Sequence, residues 1–392
     1  MGDRGVTADP NAAPSASDAR ERVAVLHVTD TLDAGGMERV AVNLVNSLPR
    51  GRWRPFLCTT RRDGPLGALV EPDVGRLDLG RRWRLDLRAI GRLRAFVRRE
   101  RIRVIHAHGD SIFFATIAAG GSAGVRILWH DHFGRYATET RPAWLYRLAA
   151  RRIGGVIAVN EPLAAWARSA LGVRSDRGWM VPNFVARASR GAPSAPLPGV
   201  PGRRVVCLAN LRPQKDHPTL LRAFAAVAAD FPDAHLLLAG GGSDEPYRRR
   251  LEDLADSLGL KNAVSFLGSR DDVPALLAAC DVGVLSSSSE GFPLALVEYG
   301  LAGLPAIATR TGQCAEILDE GEAGRLVACR DAGGLADAMR GLLADAPTRA
   351  RLGGRLEDRV TRLYGAEKVV PMVAAIYERL LSEAGSVARG AR

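Results

Sequence analysis

Short runs of valine, isoleucine and leucine alternate with longer amphipathic stretches of helical length along most of the chain. This alternation is typical of parallel sheets whose two faces are covered by helices. In the first half of the chain the pattern predicts strands at residues 23–28, 54–59, 104–107, 127–130, 155–159 and 179–181. In the second half it predicts strands at residues 204–209, 235–239, 264–267, 282–285, 306–308 and 324–327. We therefore expect an α/β protein with two Rossmann-like parallel-sheet domains.

A stretch without periodicity divides the chain. Residues 186–202 are rich in proline, glycine, alanine and serine, which is typical of an interdomain linker. We expect an N-terminal domain at residues 21–185, a C-terminal domain at residues 203–365, and a C-terminal helix and tail at residues 366–392. Residues 1–20 lack the apolar stretch of a signal peptide and are expected to form a disordered tail.

The basic charge is concentrated in one half. The 392 residues carry a net charge of +11, with 31 basic against 18 acidic residues in positions 1–200 and 23 against 25 in positions 201–392. A basic half raises nucleic acid and anionic membranes as partners. No zinc-finger, RNP or KH motif is present in the sequence, so we expect no nucleic acid partner. A non-enzymatic protein that binds an anionic surface stays an alternative.

One basic segment bears on where in the cell the protein works. Residues 80–103 contain ten arginines, and apolar residues recur there at roughly helical spacing: Leu85, Ile90, Leu93, Phe96 and Val97. This pattern predicts either peripheral contact with an anionic membrane or a helix that packs its apolar stripe into its own domain. Five widely spaced cysteines without a CxxC pair favour a reducing compartment. We expect a cytoplasmic protein that works at the inner face of the cell membrane.

Two clusters that follow predicted strands have the chemistry to bind phosphate. Gly35 and Gly36 open an amphipathic helix, where backbone N–H groups and the helix dipole favour an anion. Arg212 and Lys215 follow the first strand of the second half, and two cations at this spacing can hold a diphosphate. A plain tight turn and a solvated basic turn are the alternatives for these clusters.

A third cluster combines two carboxylates at a strand–helix junction. Glu290 precedes a predicted helix that begins near Pro293, and Glu298 lies between one and two turns inside that helix. Both carboxylates can accept hydrogen bonds from sugar and ribose hydroxyls. Each glutamate alone is also compatible with a helix-dipole partner or a solvated position.

The run from Glu290 to Glu298 strongly resembles the E-x7-E region of retaining, family 4-type glycosyltransferases with the GT-B fold. The resemblance extends from Val23 to Tyr364 and includes the segments at residues 35–38, 181–183, 212–215, 264–274, 303–305 and 311–316. Such breadth, in the right order, is far more specific than one motif. The sequence departs from many relatives at Gln313, where a second glycine is common.

The resemblance implies a role for each matched residue. Glu298 is implied to hold the ribose, and Glu290 a hydroxyl of the donor sugar. Arg212 and Lys215 are implied to neutralise the departing diphosphate, and the base would lie against Gly268, Ser269 and Arg270. The remaining implied donor-binding residues are Gly35, Gly36, Gly291, Phe292, Pro293 and Leu294.

Four of the seven histidines form two i,i+2 pairs at predicted strand ends: His106 with His108, and His130 with His132. With Asp110 and Asp131 they are candidates for a metal site, although no further ligand motif supports it. Histidines satisfied by backbone hydrogen bonds are a second possibility. The family resemblance implies a third, in which His130 reaches the gap between donor and acceptor and His108 lines the same cleft.

Together these features predict a retaining glycosyltransferase with catalytic residues His130, Glu290, Arg212 and Lys215. We expect a nucleotide-diphosphate sugar donor, with UDP the expected nucleotide, and a glycan or lipid-linked acceptor in cell-surface polysaccharide synthesis. We expect no metal and no cofactor. Asp271 and Asp272 look like a helix-capping pair rather than a DxD motif. A nucleotide-sugar epimerase of the same fold is the alternative enzyme.

Overall fold

The computed structural model describes residues 22–119, 122, 124–134, 140–187, 192–242 and 245–390, with side chains up to residue 383. The tail expected at residues 1–20 lies outside the described residues. Two parallel sheets organise the rest, and each is built from short apolar strands whose carboxyl ends share one edge.

The first sheet has seven parallel strands in the order β3-β2-β1-β4-β5-β6-β7. The strands are β1 (Val23–Thr29), β2 (Trp53–Thr59), β3 (Gly75–Asp78), β4 (Val104–His108), β5 (Arg126–Asp131), β6 (Gly155–Ala158) and β7 (Gly178–Met180). The apolar pattern did not predict β3, an edge strand in which no residue is buried.

The second sheet has six parallel strands in the order β10-β9-β8-β11-β12-β13. They are β8 (Arg204–Leu208), β9 (His235–Ala239), β10 (Val264–Gly268), β11 (Val282–Leu285), β12 (Ala306–Thr309) and β13 (Arg325–Val327). The expectation of two Rossmann-like parallel sheets is confirmed.

Helices connect the strands and cover the sheets. In the first half they are α1 (Gly36–Ser47), α2 (Leu87–Arg99), α3 (Ser111–Ala119), α4 (Ala143–Ala150) and α5 (Glu161–Leu171). In the second half they are α6 (His217–Asp230), α7 (Glu245–Ser257), α8 (Val273–Ala278), α9 (Leu294–Leu301), α10 (Cys314–Ile317), α11 (Ala332–Ala344), α12 (Ala346–Tyr364) and α13 (Ala366–Gly390). Among the described residues, no helix has both the length and the apolar character that crossing a bilayer requires.

The last helix returns to the first sheet. Val369, Val373 and Leu380 of α13 are buried in one cluster with residues of the first domain, including Val25 and Trp53. A bridge between Val185 and Gly365 joins the chain just before the linker to the start of this helix. The sequence left the packing partner of this helix open, and the structure places its apolar face against the first sheet.

The arginine-rich helix α2 buries its apolar stripe. Ile90, Leu93, Phe96 and Val97 lie in the core of the first domain, while Leu85 precedes the helix and is exposed. The apolar face of α2 is therefore not free to enter a bilayer. Trp83, Leu85 and Leu87, at its N-terminal end, remain exposed beside arginines.

Candidate active site

A cavity of about 370 Å³ lies between the two domains, at the carboxyl ends of both sheets. Parallel sheets place their ligand sites at this edge. The N-terminus of α1 forms one wall, and the loops that follow β8, β9, β10 and β11 form the other. Most of the residues expected to bind the donor line it: Gly35, Gly36, Arg212, Lys215, Ser269, Arg270, Glu290, Gly291, Phe292, Pro293, Leu294 and Glu298.

The N-terminus of α1 is shaped by its glycines. Gly35 is the N-cap residue in extended conformation, and a Cβ atom there would lie 2.2 Å from Oε2 of Glu38. The carboxyl of Glu38 therefore folds back over the first turn. Burial raises the pKa of Glu38, and the positive charge of Arg212 opposes that shift.

An ion pair joins two of the expected catalytic residues. Nζ of Lys215 lies 2.5 Å from Oε1 of Glu290, and the hydroxyl of Ser287 donates to the same oxygen at 2.6 Å. The two side chains are only 21% and 9% exposed. Lys215 follows β8 and Glu290 follows β11, and these strands are neighbours in the sheet. The fold therefore presents this cation and carboxylate together at the cavity wall.

Glu298 lies at the boundary between the domains. Its side chain is 14% exposed, and its Oε1 lies 3.9 Å from the guanidinium of Arg39 on α1. Burial raises the pKa of Glu298, and Arg39 opposes the shift. The sequence did not single out Arg39 as a site residue; its place one turn after the glycine pair was the available signal.

A second group of glycines after β9 was missed. Gly240 and Gly241 line the cavity, and a Cβ atom at Gly240 would lie 2.0 Å from the carbonyl oxygen of Ala209. Asn210 accepts a hydrogen bond from the Gly241 N–H at 3.1 Å and donates to the carbonyl of Ala34 at 2.6 Å. This side chain links the two domains. The signal in the sequence was three consecutive glycines after a strand.

The segment around Gly312 supports the backbone at Glu290. Gly312 has a φ of +51°, and a Cβ atom there would lie 2.3 Å from the carbonyl oxygen of Glu290. The N–H of Gln313 donates to the carbonyl of Gly291 at 3.2 Å. The departure from the family pattern at Gln313 therefore leaves this backbone contact in place, since Gly312 is the residue that needs to lack a side chain.

The turn expected to face the base is only partly exposed to the cavity. Ser269 and Arg270 line it, whereas Gly268 ends β10 and its carbonyl accepts a hydrogen bond from Gly240. Asp272 occupies the N-cap position of α8 but makes no side-chain cap hydrogen bond there. Instead its carboxylate pairs with Arg270 at 2.6 Å, which holds its pKa well below the usual value. The capping role expected for Asp272 is therefore wrong.

The structure changes the expected positions of the histidines. His108 and His130 are buried, with 0% and 1% exposed area, and neither is among the described residues that line the cavity. His132 and Gly134, just past the end of β5, line it instead. The expectation that His108 and His130 face the cleft directly is wrong. Both residues lie within strands, His108 in β4 and His130 in β5, and their side chains are buried below the edge of the sheet that faces the cavity.

His27 completes a cluster of five histidines with His106, His108, His130 and His132. Two groups of three, His27/His106/His108 and His108/His130/His132, place ring nitrogens within coordinating range of one another. Those nitrogens are also hydrogen-bonded among themselves and to Tyr377, at 2.6–3.2 Å. Imidazoles that bond to each other in this way satisfy most of their buried polar atoms without an ion.

Family models match both halves of the chain. Residues 34–188 match a model described as Glycosyltransferase Family 4, and residues 199–358 match one described as Glycosyl transferases group 1. The two matches lie on the first and second sheets, with the cavity between them.

Curated relatives and solved structures show the same similarity. The chain is 33% identical over 179 residues to N-acetyl-alpha-D-glucosaminyl L-malate synthase of Bacillus anthracis, covering 46% of each chain. It is 34% identical over 233 residues to phosphatidyl-myo-inositol mannosyltransferase of Mycolicibacterium smegmatis, covering 58% of each. The matched region thus spans about half the length of these relatives.

The fold is similar to that of Anabaena HepE, solved with UDP and glucose, with a TM-score of 0.76 at 19% identity over 91% of this chain and 100% of that one. It is also similar to sucrose-phosphate synthase of Thermosynechococcus elongatus, with a TM-score of 0.75 at 20% identity over 92% and 100%. At this identity the likeness shows the fold. With both halves matched in order, the chain belongs to the family 4-type glycosyltransferases of the GT-B fold.

Proposed function

We propose that the protein transfers a sugar from a nucleotide-diphosphate sugar to a hydroxyl acceptor, with retention at the anomeric carbon. The observation that carries this proposal is the arrangement of charges in the cavity. Arg212 and Lys215 lie on the second domain, the N-terminus of α1 lies opposite, and Glu290 and Glu298 lie at the same wall. Cations and a helix N-terminus suit a diphosphate, and the carboxylates suit hydroxyl groups.

The departure of the diphosphate is the step that needs most assistance. Negative charge develops on the leaving phosphate, and donors already in place lower that barrier. In this proposal Arg212, Lys215 and the amides of Gly35 and Gly36 act on that charge. The protein's own cations neutralise it, and we propose that transfer needs neither metal nor cofactor.

The Lys215–Glu290 pair gives the donor a site that is already organised. When a phosphate replaces the carboxylate as partner of Lys215, Glu290 becomes free to accept a hydrogen bond from a hydroxyl of the donor sugar. Glu298, which lies near Arg39 at the cavity, accepts hydrogen bonds from the ribose hydroxyls. Gly268, Ser269 and Arg270 contribute the turn beside the base.

UDP is the proposed nucleotide, and a glycan or lipid-linked hydroxyl in cell-surface polysaccharide synthesis is the proposed acceptor. HepE was solved with UDP and glucose, which supports the nucleotide. The names of two relatives, a phosphatidyl-myo-inositol mannosyltransferase and a lipopolysaccharide core glycosyltransferase, support a lipid-linked or glycan acceptor.

We also propose that the first domain contacts the anionic inner face of the cell membrane from the cytoplasm. Trp83, Leu85 and Leu87 are 74%, 66% and 79% exposed, and Arg82 and Arg84 beside them are exposed as well. Exposed apolar side chains flanked by cations fit an anionic lipid surface. This contact would bring the cavity to a lipid-linked acceptor.

The experiment that tests the proposed function is incubation of the purified protein with a panel of nucleotide sugars. Release of nucleoside diphosphate and free sugar, slow without acceptor, is the expected product pattern. An epimerised donor with intact diphosphate would support the epimerase alternative instead. Activity that EDTA abolishes and zinc or manganese restores would favour a metal site in the histidine cluster.

A further inference from the structure

Five imidazoles share one face of the first sheet. β1, β4 and β5 are adjacent, and the strand register places His27 beside His106, and His108 beside His130. Alternate residues of a strand point to the same side, so His106 and His108 face the same way as His27 and His130. Helix α13 covers this face and contributes the hydroxyl of Tyr377.

Tyr377 connects two branches of hydrogen bonds. Its Oη lies 2.6 Å from Nδ1 of His106, whose Nε2 lies 3.2 Å from Nδ1 of His130. The same Oη lies 3.1 Å from Nε2 of His27, whose Nδ1 lies 3.0 Å from Nε2 of His108. Nδ1 of His108 then lies 3.1 Å from Nε2 of His132, at the cavity wall.

The rings of this network are neutral. Burial lowers the pKa of His27 and His132 to about 3, and it lowers those of the other three, with repulsion among the histidines adding to the effect. Asp131, next in sequence to two of them, is paired with Arg141 at 2.7 Å. Burial also raises the pKa of Tyr377, so its proton stays on the oxygen.

A neutral imidazole has one N–H and one lone pair, so each bond fixes the next one. If Tyr377 donates to His106, His27 must donate to Tyr377. Every ring along that branch then accepts from the next, and Nδ1 of His132 is left as an acceptor. If Tyr377 donates to His27 instead, all the protons move to the opposite nitrogens, and Nδ1 of His132 becomes a donor.

Both branches end on a buried nitrogen. Among the described residues, neither Nε2 of His130 nor Nδ1 of His132 has a hydrogen-bond partner. His132 ends the other branch beside Asn183, which also lines the cavity and whose side chain opposes the lowering of the His132 pKa. Beyond the shared hydroxyl, the side chain of Asn183 is therefore the group placed to favour one arrangement.

We propose that Tyr377 is a positioning residue for His132. Through His27 and His108 it determines which nitrogen of His132 carries the proton, and so whether Nδ1 of this ring can donate a hydrogen bond to the side chain of Asn183 or accept one from it; Asn183 lines the cavity where the acceptor hydroxyl would bind. The inference rests on the proposed transferase function. It gives α13, the last helix of the chain, a role at a cavity that it does not line.

The test is Tyr377→Phe in the full-length protein, with histidine ring nitrogens observed by 15N NMR. The change removes one oxygen atom, so the fold is expected to persist, while the two branches lose their common partner. We expect the 15N shifts of His132 to move from those of one tautomer toward those of a mixture. Tyr146→Phe, which removes a hydroxyl bonded to Asp110 in the same domain, is expected to leave His132 unchanged.

Turnover gives the second measurement. We expect Tyr377→Phe to lower kcat at least threefold while the Kd for the nucleotide stays within a factor of two. Unchanged 15N shifts of His132, or changed shifts with an unchanged kcat, would overturn the proposal. If the wild-type protein releases no nucleoside diphosphate from any nucleotide sugar, the transferase function itself fails, and that result is distinct from a failure of the hydrogen-bond network.

Discussion

Arg39 and Glu298 form one polar contact between the domains, and we propose that donor binding changes it. Glu298 is shielded from water, and Arg39 compensates its charge at 3.9 Å, longer than a direct hydrogen bond. A carboxylate in this setting gains most when ribose hydroxyls occupy the space beside it. The pair is therefore better suited to binding a ligand than to holding the domains together.

Glu298→Gln is expected to weaken donor binding at least about tenfold, because it removes a charged hydrogen-bond acceptor worth roughly 1.5–3 kcal/mol. The effect should fall on the Kd and KM of the donor, with kcat changed little. Calorimetry with the nucleotide and steady-state kinetics measure both quantities. Wild-type affinity in this variant would remove Glu298 from the donor site.

His130→Ala is expected to impair transfer while nucleotide affinity stays nearly unchanged, because His130 lies on the first domain, behind His132. His132→Ala is expected to reduce kcat more, because His132 lines the cavity itself. A comparison of kcat and nucleotide Kd in the two variants checks this order. Equal loss of nucleotide affinity in both would place the histidines on the donor side instead.

The burial of the histidine cluster also predicts how the free energy of unfolding changes as the pH is lowered. The folded-state pKa values of its members lie below the unfolded value of about 6.5, so only the unfolded chain binds these protons between pH 6.5 and about 3. The contribution of the cluster to the free energy of unfolding is therefore fully present above pH 6.5. Below pH 6.5 it decreases by up to about 1.4 kcal/mol per pH unit for each histidine. Urea unfolding at pH 7.5, 6 and 5 should show a slope of at least three protons between pH 6 and 5. A flat profile would contradict the burial of the cluster.

Sequence reasoning placed the residues that line the cavity better than it placed the histidine network. Arg212, Lys215 and Glu290 follow strands and Glu298 lies in the helix after one of them, and parallel strands bring their carboxyl ends to one edge whatever the details of packing. His27 and Tyr377 lie 81 and 271 positions from the residues they contact in the cluster. Their meeting depends on strand order and on where α13 docks, and the apolar pattern contains neither.

Among the helices and strands, the difference between a local sequence pattern and tertiary packing explains why β3 was not predicted and why the packing partner of α13 was left open. The strands with continuous apolar runs were predicted within one or two residues, because buried parallel strands have little freedom in composition. β3 has a single apolar residue among Gly75, Arg76, Leu77 and Asp78, so it resembles a loop. The helical pattern of α13 was evident, but an amphipathic pattern does not identify which surface it will cover.

Leu380→Ala in α13 is expected to destabilise the first domain by about 2–5 kcal/mol, since its side chain is 1% exposed and packs against the first sheet. Hydrogen exchange should increase in β5 and β6, where Leu380 packs beside Gly154, and stay unchanged in β8 to β13. Glu367→Ala, at an exposed position of the same helix, is the matched control and should change stability by less than about 0.5 kcal/mol. Uniform loss of protection in both sheets would contradict the assignment of α13 to the first domain's core.

Over the whole chain, the excess of basic residues in the first half predicts electrostatic attraction to an anionic membrane surface. We expect the protein to co-sediment with anionic vesicles at low salt and less so at high salt. Exposed charges are screened beyond about 8 Å at physiological ionic strength, and at shorter range in high salt. Replacing both Trp83 and Leu85 by alanine should reduce the bound fraction further. Equal recovery with anionic and neutral vesicles, or none with either, would contradict the membrane proposal.

In the proposed mechanism, Lys215 acts on the leaving diphosphate in the cavity between the domains. The most direct measurement is the rate of nucleoside diphosphate release from a saturating UDP-sugar by the wild type, Lys215→Ala and Lys261→Ala. Lys261 is exposed and does not line the cavity, so it is a matched control. We predict that Lys215→Ala lowers kcat at least about tenfold, equivalent to ~1.4 kcal/mol, while Lys261→Ala keeps the wild-type rate. A wild-type rate of release by Lys215→Ala would show that Lys215 does not act on the leaving group.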